Sequence, residues 1–363
     1  MKCGIVGLPN VGKSTLFNCL SNAKALAANY PFATIEPNVG VIPVPDDRMA
    51  KLEELVKPEK MHQAIVEIVD IAGLVRGASK GEGLGNKFLA NIRETQAIIH
   101  VLRCFDDDNI THVDESINPV RDKETIDIEL QIKDLESVEK KIETTKKKTR
   151  TGDKEAAKHL LILEKYKDHF EAGLSARSID LTDKEKEVVE DLMLLTDKPI
   201  LYICNVNEDD ATGGNAYVEA VREAIKDEDA EMLVIAAGME ADIMELETFE
   251  ERQEFLNDMG LTEPGVKKVI RTAYTLLNLQ TYFTAGVKEV RAWTIKGGFT
   301  APQAAGVIHT DFEKGFIRAE VIKYDDFVSL GSELACKEAG KLSVEGKEYI
   351  VKDGDIMHFR FNV

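Results

Sequence analysis

The sequence predicts an α/β protein built on a doubly wound, mostly parallel sheet, with an inserted coiled-coil-like helical hairpin and a C-terminal α+β domain. Three observations favour this fold class. Short apolar runs alternate with amphipathic runs at the start, a charged and proline-poor segment with helical periodicity follows, and short β-type runs fill the last part of the chain. We place the sheet domain at residues 1–126 and 197–278, the helical insertion at 127–196 and the C-terminal domain at 279–363.

Apolar runs at residues 3–8, 64–74 and 97–105 are the predicted strands in the first part of the sheet domain. The amphipathic runs between them predict helices. Strands that alternate with helices form a parallel sheet, because each connection must cross a face of that sheet. Two later apolar runs, at 199–204 and 232–235, predict two more strands of the same sheet.

The insertion has the pattern of two antiparallel helices. Apolar residues recur every three to five positions over 130–142, and a second periodic run occupies 160–166. The residues between them include a turn sequence, Thr-Gly-Asp, at 151–153, which predicts the reversal of the chain. Thr182 and Glu185 form a capping box that predicts the start of a further helix.

The C-terminal domain is predicted from short β-type runs separated by glycine, aspartate and lysine turns. These runs cover residues 287–295, 316–322, 342–351 and 355–363. One clear helix is predicted to begin near Thr300, a hydroxyl cap that is followed by Pro302 in the first turn.

Charge and cysteine content restrict the class of protein. The formal net charge is −19, and a field of that sign disfavours indiscriminate binding to nucleic acid or anionic membranes. We therefore expect no sequence-specific DNA binding and no membrane partner. The five cysteines lack the paired spacing of zinc sites and predict buried thiols in a reducing compartment. The absence of a long apolar run and of a signal peptide predicts a cytoplasmic protein.

Residues 7–14, GLPNVGKS, match the phosphate-binding pattern GxxxxGK[ST] between a predicted strand and a predicted helix. Glycine lets the backbone turn its N–H groups toward the β and γ phosphates, while Lys13 adds a positive charge and Ser14 an oxygen for Mg²⁺. The sheet domain is therefore predicted to be a P-loop G domain. Its predicted nucleotide contacts in this loop are Asn10, Val11, Gly12, Lys13, Ser14 and Thr15.

Two further segments predict the rest of a magnesium site. Asp70 ends a predicted strand and begins the sequence DIAG, in which the carboxylate can reach Mg²⁺ through water and the N–H of Gly73 can meet the γ phosphate. Thr34 lies in the loop after the first helix and can bring its hydroxyl and carbonyl to the metal. The glycine-rich segment 73–85 is the predicted switch. The predicted metal ligands are thus Ser14, Thr34 and Asp70, and Lys13 and Gly73 are predicted catalytic residues.

Three sequence blocks, GLPNVGKST, DIAGLVRGASKGEGLGNKFL and TDFEKGFIRAEVIKYDDF, resemble the YchF, or Obg-like ATPase, family. The resemblance covers essentially the whole chain. It implies a G domain, an inserted helical domain and a C-terminal TGS domain of ubiquitin-like shape, in agreement with the boundaries given above. It also implies an association with ribosomes and translation.

The base loop predicts which nucleotide binds. Guanine-specific G domains have the pattern NKxD, whose aspartate accepts two hydrogen bonds from guanine, whereas residues 205–208 are NVNE. Losing such a polar pairing removes a discrimination of about 10⁴ or more, so we expect ATP to bind, with GTP as the alternative ligand. Asn205 is predicted to bond the base edge, Val206 to pack on its face, and Phe105 to be a further nucleotide contact.

The sequence lacks the usual group that positions the attacking water for hydrolysis. Leu74 stands where many G proteins carry the glutamine that orients the attacking water, so intrinsic hydrolysis should be slow. His112, on a polar segment after the predicted strand at 97–105, is a candidate for positioning water, and a solvated loop histidine is the alternative. Asn10 is a second candidate, because PNVGKS loops in related G proteins can hold a monovalent cation. K⁺ is therefore a candidate cofactor beside Mg²⁺.

Together these features predict a slow ATPase that acts as a nucleotide-dependent switch. The alternatives are a GTPase of the Obg type and a ribosome- or RNA-binding module in which the nucleotide is only structural. A contact with ribosomal RNA is predicted at the tip of the hairpin, and a merely solvated helical face is the alternative there. Eight cations gather at this tip: Lys140, Lys141, Lys146, Lys147, Lys148, Arg150, Lys154 and Lys158.

Overall fold

The computed structural model describes residues 2–22, 38–71, 84–114 and 116–362. These residues form twelve strands: β1 (Lys2–Val6), β2 (Val39–Pro43), β3 (Met61–His62), β4 (Ile65–Asp70), β5 (Ala97–Arg103), β6 (Ile200–Asn205), β7 (Glu231–Ile235), β8 (Leu279–Ala285), β9 (Val290–Lys296), β10 (Phe316–Ile322), β11 (Leu342–Glu345) and β12 (Ile356–Phe361). They also form fourteen α-helices: α1 (Lys13–Asn22), α2 (Asp47–Val56), α3 (Leu84–Arg93), α4 (Pro119–Thr149), α5 (Lys154–Glu171), α6 (Asp183–Lys186), α7 (Ala216–Ala224), α8 (Ala237–Glu245), α9 (Phe249–Asp258), α10 (Gly265–Leu276), α11 (Ala301–Ile308), α12 (Thr310–Lys314), α13 (Tyr324–Leu330) and α14 (Glu333–Glu338).

The first sheet has the strand order β2-β4-β1-β5-β6-β7. β1 pairs in parallel with β4 and β5, and β5, β6 and β7 continue the parallel pairing. β5 and β6 are buried along their whole length, as expected for central strands covered on both faces. The strand order changes direction beside β1, so the loops after β1 and β5 flank the crevice where open α/β sheets bind ligands. The predicted doubly wound, mostly parallel sheet is confirmed.

The insertion is the predicted hairpin, made by α4 and α5. α4 begins at Pro119, earlier than the predicted boundary at 127, because the Asn118 side chain accepts a hydrogen bond from the Arg121 amide and proline is tolerated in a first helical turn. Gly152 has a φ of +87° at the tip, and Asp153 caps α5. The predicted turn is therefore present where the sequence places it.

The two helices of the hairpin are held together by an apolar core. Its members come from α4, from α5 and from the segment after α5, and include Val138, Ile142, Leu163, Tyr166 and Phe170. The predicted capping box that opens α6 is also present. A charged surface helix of this length thus gains its stability from one buried stripe.

The contacts divide the chain into two compact units, Met1–Gly40 with Glu67–Val269 and Val41–Val66 with Ile270–Val363. This division differs from the boundaries predicted from the sequence in two places. The helical insertion belongs to the same unit as the first sheet, and residues 41–66 belong to the C-terminal unit.

A buried carboxylate explains why the hairpin does not form a separate unit. Asp134, fully buried in α4, accepts hydrogen bonds from the amides of Leu195 and Thr196, both at 2.8 Å, just before β6. Lys123, near the start of α4, also pairs with Glu228 at 2.5 Å. Polar groups buried in this way must keep their partners, so the base of α4 is fixed to the sheet.

Residues 41–66 join the C-terminal unit through β3 and α2. β3 pairs in parallel with β9. Arg48 of α2 forms an ion pair with Asp353 at 2.7 Å, and its guanidinium lies 5.0 Å from the centre of the Phe283 ring. These contacts cannot be predicted from any short-range pattern in the sequence, because the paired residues are hundreds of positions apart.

The second sheet has the strand order β11-β10-β12-β8-β9-β3. The alanines of α11 pack on it together with residues such as Tyr282, Phe316 and Val321, and Thr300 caps α11 with Gln303 in a capping box. The predicted C-terminal α+β architecture is confirmed, although the sequence patterns did not indicate β8. All five cysteines are buried free thiols, as predicted. None of the described helices is long and apolar enough to cross a bilayer.

Candidate nucleotide-binding site

The loop between β1 and α1 makes the tight turn that its glycines permit. Asn10 and Gly12 have φ angles of 64° and 90°, in the left-handed region. A Cβ atom on Gly7 would lie 2.8 Å from the carbonyl oxygen of Val101 on β5, and one on Gly12 would lie 2.1 Å from Nδ2 of Asn205. Only glycine fits these two positions, so the GxxxxG spacing reflects close backbone approach as well as the turn.

α1 begins at Lys13, directly after the turn, so its first N–H groups and the positive end of its dipole point into the loop. Lys13 forms an ion pair with Asp70, which ends β4. The side chain is nearly buried, with a relative exposure of 9% for the residue. In this structure the two charged groups predicted to face the phosphates and the metal neutralise each other.

The loop lies in a cleft of ≈ 770 Å³. Four loops line it, and each follows the carboxyl end of one strand of the first sheet: β1, β5, β6 and β7. The lining residues are 8–10 and 12–15 after β1, Phe105, Asp107 and Ile110 after β5, 205–208 at the end of β6, and 236–239 after β7. The cleft therefore combines a phosphate loop with a separate compartment that can hold a base.

Asn205 connects three of these loops. Its Nδ2 donates to the carbonyl oxygen of Val11 at 2.9 Å, and its Oδ1 accepts from the amide of Ala237 at 2.9 Å. The residue is 5% exposed. Its amide was predicted to bond the base edge, but one hydrogen and the oxygen are already used inside the protein. The principal role of Asn205 in the structure is to brace the phosphate loop against the loops after β6 and β7.

Most of the other predicted nucleotide contacts line the cleft, and one of them is buried away from it. Ser14, Thr15 and Phe105 line the cleft, and so does Val206, which is 4% exposed. Val11 does not line the cleft, because its side chain is buried and only its carbonyl meets Asn205.

Three further parts of the lining were not predicted from the sequence: Asp107, Ile110 and the loop 236–239. For the loop a signal was available, because three small residues, Ala-Ala-Gly, follow directly after a short apolar run. Small residues at the end of a parallel strand allow a ligand to approach the backbone closely. No comparable pattern marks Asp107 or Ile110.

His112 lies neither in solvent nor on the cleft wall. It is 6% exposed, its Nε2 is 2.8 Å from Oδ2 of Asp122 in the first turn of α4, and its Nδ1 accepts from the amide of Asp114 at 3.1 Å. Because Nδ1 is an acceptor, Nε2 carries a hydrogen and donates it to the carboxylate. Both sequence-based alternatives for His112 therefore differ from its position here.

Asn10 lies between the cleft and the segment that carries His112. It is exposed, and its Nδ2 donates to the carbonyl oxygen of Thr111 at 3.1 Å. The predicted residues Thr34 and Gly73, together with Leu74 and most of the glycine-rich segment, fall outside the described residues.

The described donors fit a magnesium–nucleotide complex. Lys13 and the start of α1 supply positive charge for phosphate, and Ser14 offers a hydroxyl beside them at the cleft. Asp70 supplies a carboxylate at the same place, because it contacts Lys13. A hydroxyl and a carboxylate are hard oxygen donors, which are the ligands that Mg²⁺ uses in phosphate sites.

Two family models match the chain. The first is described as a 50S ribosome-binding GTPase and matches residues 2–141. The second is a model of the YchF GTPase C-terminal region, described as a protein of unknown function (DUF933), and it matches residues 279–362.

Relatives match over the full length. The chain is 59% identical over 362 residues to the ribosome-binding ATPase YchF of Pasteurella multocida, covering 100% of this chain and 99% of the relative. It is 53% identical over 365 residues to the protein of the same name from Bacillus subtilis, covering 100% of both. A solved YchF GTPase from Schizosaccharomyces pombe superposes with a TM-score of 0.90 at 40% identity, covering 99% of this chain and 97% of that one. The chain thus belongs to the YchF family of P-loop nucleoside triphosphatases.

Proposed function

We propose that this protein binds and slowly hydrolyses ATP, and that the bound nucleotide controls its contact with the ribosome. One observation carries the choice of base: the loop after β6 opens on the cleft with Val206 and Glu208 in place of the guanine-recognising lysine and aspartate. Glu208 is exposed and begins a single turn of 3₁₀ helix. A carboxylate on a longer, solvated side chain is a poor substitute for a fixed two-point acceptor.

The proposed roles of the residues rest on the sequence pattern and, for Lys13, Ser14 and Asp70, on their positions at the cleft. Mg²⁺, when bound, supplies positive charge that screens the β and γ phosphates. Ser14, Thr34 and Asp70 would hold it, and Lys13 would turn from Asp70 to the phosphates. Gly73 would meet the γ phosphate through its N–H. The amide oxygen of Asn10 is the atom that would hold K⁺ if a monovalent cation assists.

The base preference is the first prediction. ATP should bind at least as tightly as GTP, as measured by competition of each nucleotide against one fluorescent analogue. Restoring the guanine pattern with Val206→Lys and Glu208→Asp together should shift the competition toward GTP, while Glu208→Asp alone should shift it less. A preference of the parent for GTP of about a hundredfold would contradict the adenine assignment and favour the alternative of an Obg-type GTPase; the solved relative from Schizosaccharomyces pombe is itself named a GTPase.

Slow hydrolysis is proposed because residue 74 is leucine, so another group must position the water. We retain His112 for this role, with the condition that its ring leaves Asp122. Its neighbours Thr111 and Val113 are exposed, so the segment lies at the surface. The cost is the loss of a buried charge-assisted hydrogen bond, which is about 1.5–3 kcal/mol.

His112→Ala is expected to lower the hydrolysis rate more than it weakens ATP binding, because a group that acts mainly in the transition state affects kcat first. The measurements are single-turnover hydrolysis and ATP titration. Asp122→Asn serves as the comparison, because it weakens the resting contact and keeps the imidazole. If both variants lose thermal stability and both keep the parent's hydrolysis rate, the pair is structural and the catalytic proposal is wrong.

The proposed ribosome contact rests on the charge of the hairpin tip and on the relatives, which are named ribosome-binding ATPases. Two of the eight cations form ion pairs within the protein: Lys141 pairs with Asp191, and Lys146 lies 3.6 Å from Glu164. The other six are exposed, and no ion pair joins them to any of the described residues. They are Lys140, Lys147, Lys148, Arg150, Lys154 and Lys158. Unpaired cations at the end of an acidic protein suit an RNA backbone.

Replacing Lys147, Lys148 and Arg150 by glutamine should weaken ribosome binding and flatten its dependence on salt, because fewer counterions are released from the RNA. The measurement is co-sedimentation with ribosomes across a salt series, with ATP hydrolysis in the absence of ribosomes as the internal reference. The matched control replaces three exposed lysines of the C-terminal unit, Lys314, Lys337 and Lys347. An effect in the control but not in the tip variant would move the contact to the C-terminal unit.

A further inference from the structure

Arg103 ends β5 at the edge of the sheet where the cleft opens, and it is only 1% exposed. Its guanidinium donates three hydrogen bonds to backbone carbonyl oxygens: Nε to Phe105 at 3.1 Å, Nη2 to Asp107 at 3.1 Å and Nη1 to Ile110 at 2.8 Å. Cζ lies 4.6 Å from the centre of the Phe105 ring. No carboxylate among the described residues forms an ion pair with it. A buried cation is costly without an acidic partner, so these contacts must compensate for its lost hydration.

The three carbonyls belong to the three residues of this loop that line the cleft. One side chain thus bonds the backbone of every lining residue in this loop. The intervening residues Asp106 and Asp108 are exposed acids, and the carboxylate of Asp106 accepts a hydrogen bond from the hydroxyl of Tyr217 at 3.0 Å. Only arginine presents several donors in a rigid planar fork, whereas lysine has a single donor centre on a flexible stem.

A second contact relates this wall to the base loop. Nδ2 of Asn215 donates to the carbonyl oxygen of Cys104 at 2.8 Å and to Oδ2 of Asp210 at 2.7 Å. Asp210 ends the 3₁₀ turn that follows the base loop. The loop after β5 is therefore held by hydrogen bonds from Arg103 to its lining residues. Asn215 holds the start of this loop, at Cys104, beside the residues that would recognise the base.

We propose that Arg103 is a positioning residue for the base of the nucleotide. It preorganises the wall formed by Phe105, Asp107 and Ile110, and so raises affinity for the nucleoside part of the ligand while leaving the phosphate part unaffected. Ordering this loop only on binding would cost conformational entropy for each residue fixed, and the guanidinium removes that cost in advance. The inference rests on the proposed nucleotide-binding function and adds a residue that does not itself line the cleft.

The test compares Arg103→Met and Arg103→Lys with Arg177→Met. Arg177 is a second arginine with little exposure, 10% for its side chain, and its Nε donates to the carbonyl of Lys198 before β6, at the sheet edge away from the cleft. Two ligands are titrated with Mg²⁺: 2-aminopurine riboside triphosphate, followed by its own fluorescence, and tripolyphosphate, which has no base, by competition. Hydrogen exchange of residues 104–112 reports the order of the loop in each variant.

Both Arg103 variants should bind the 2-aminopurine nucleotide about tenfold or more weakly than the parent does, and should quench the fluorescence of the bound nucleotide less. Their affinity for tripolyphosphate should equal that of the parent. Loop amides should exchange faster in both, and Arg177→Met should match the parent in all three measurements. If Arg103→Met does not fold, Arg103→Lys supplies the same comparison. Equal weakening of both ligands, or no change in either, would overturn the positioning role. A parent that binds neither ligand would instead contradict the proposed function.

Discussion

Lys13→Ala is expected to weaken ATP binding by about a hundredfold or more, which corresponds to about 2.7 kcal/mol. Two effects add. The phosphates lose a charged donor at the start of α1, and Asp70 loses the cation that neutralises it, so a carboxylate faces the phosphates unscreened. ATP titration with and without Mg²⁺ measures the loss. Thermal unfolding checks that the fold is intact, so that the loss can be assigned to the site.

Two companion variants separate these effects. Lys2→Ala is the matched control, since Lys2 lies at the other end of β1 and contacts Glu67 at 3.9 Å; it should bind ATP like the parent. The double variant Lys13→Ala with Asp70→Asn removes the repulsive carboxylate. Partial recovery of Mg²⁺-free nucleotide binding in the double variant would identify repulsion as one component. If Lys13→Ala alone binds and hydrolyses ATP like the parent, the phosphate-site assignment is wrong.

Gly12→Ala is expected to disrupt both the cleft and the stability of the first unit. Its φ of +90° costs an L-residue about 1–2 kcal/mol. The new Cβ would also lie 2.1 Å from Nδ2 of Asn205, which must move and release the carbonyl of Val11. The lost buried hydrogen bond adds about 1–3 kcal/mol. Urea unfolding and ATP titration should therefore both show large losses.

Gly238→Ala provides the control for this prediction. Gly238 lines the same cleft, but an added Cβ would meet nothing within 4 Å, and it lies in α8, where alanine is favoured over glycine by about 1 kcal/mol. This variant should be as stable as the parent or more stable. A double-mutant cycle with Asn205→Ala adds a second check, because Gly12→Ala should do less further damage once the brace is absent. Strict additivity in that cycle would show that Gly12 and Asn205 do not interact.

Much of the fold is encoded in patterns that extend over only a few residues. The phosphate loop combines its strand, glycines and helix within residues 2–22, so spacing alone predicts it. The hairpin likewise shows one apolar stripe on each helix and a turn with glycine at position 152. Such features are predictable because the period of the backbone determines which side chains share a face.

The functional details were decided by contacts between distant parts of the chain. Asn205 was expected at the base edge, yet its bond to Val11 spans 194 positions and makes it a brace. Arg48 brings residues 41–66 into the C-terminal unit through Asp353, 305 positions away. A buried polar side chain must form hydrogen bonds with whichever groups the fold places beside it. The local pattern of apolar and polar residues does not indicate which groups these are.

The sequence by itself determined the phosphate loop, the parallel sheet, the hairpin and its basic tip, because each depends on residue type and spacing along one short segment. Only the tertiary structure decided that His112 forms a hydrogen bond with Asp122 and that Lys13 forms an ion pair with Asp70. The same holds for the hydrogen bonds from Arg103 to the wall of the cleft. The physical reason is desolvation. Once these charged and polar groups are buried, their free energy depends on the few atoms that the fold brings within hydrogen-bonding distance, and those atoms are set by packing across the whole unit.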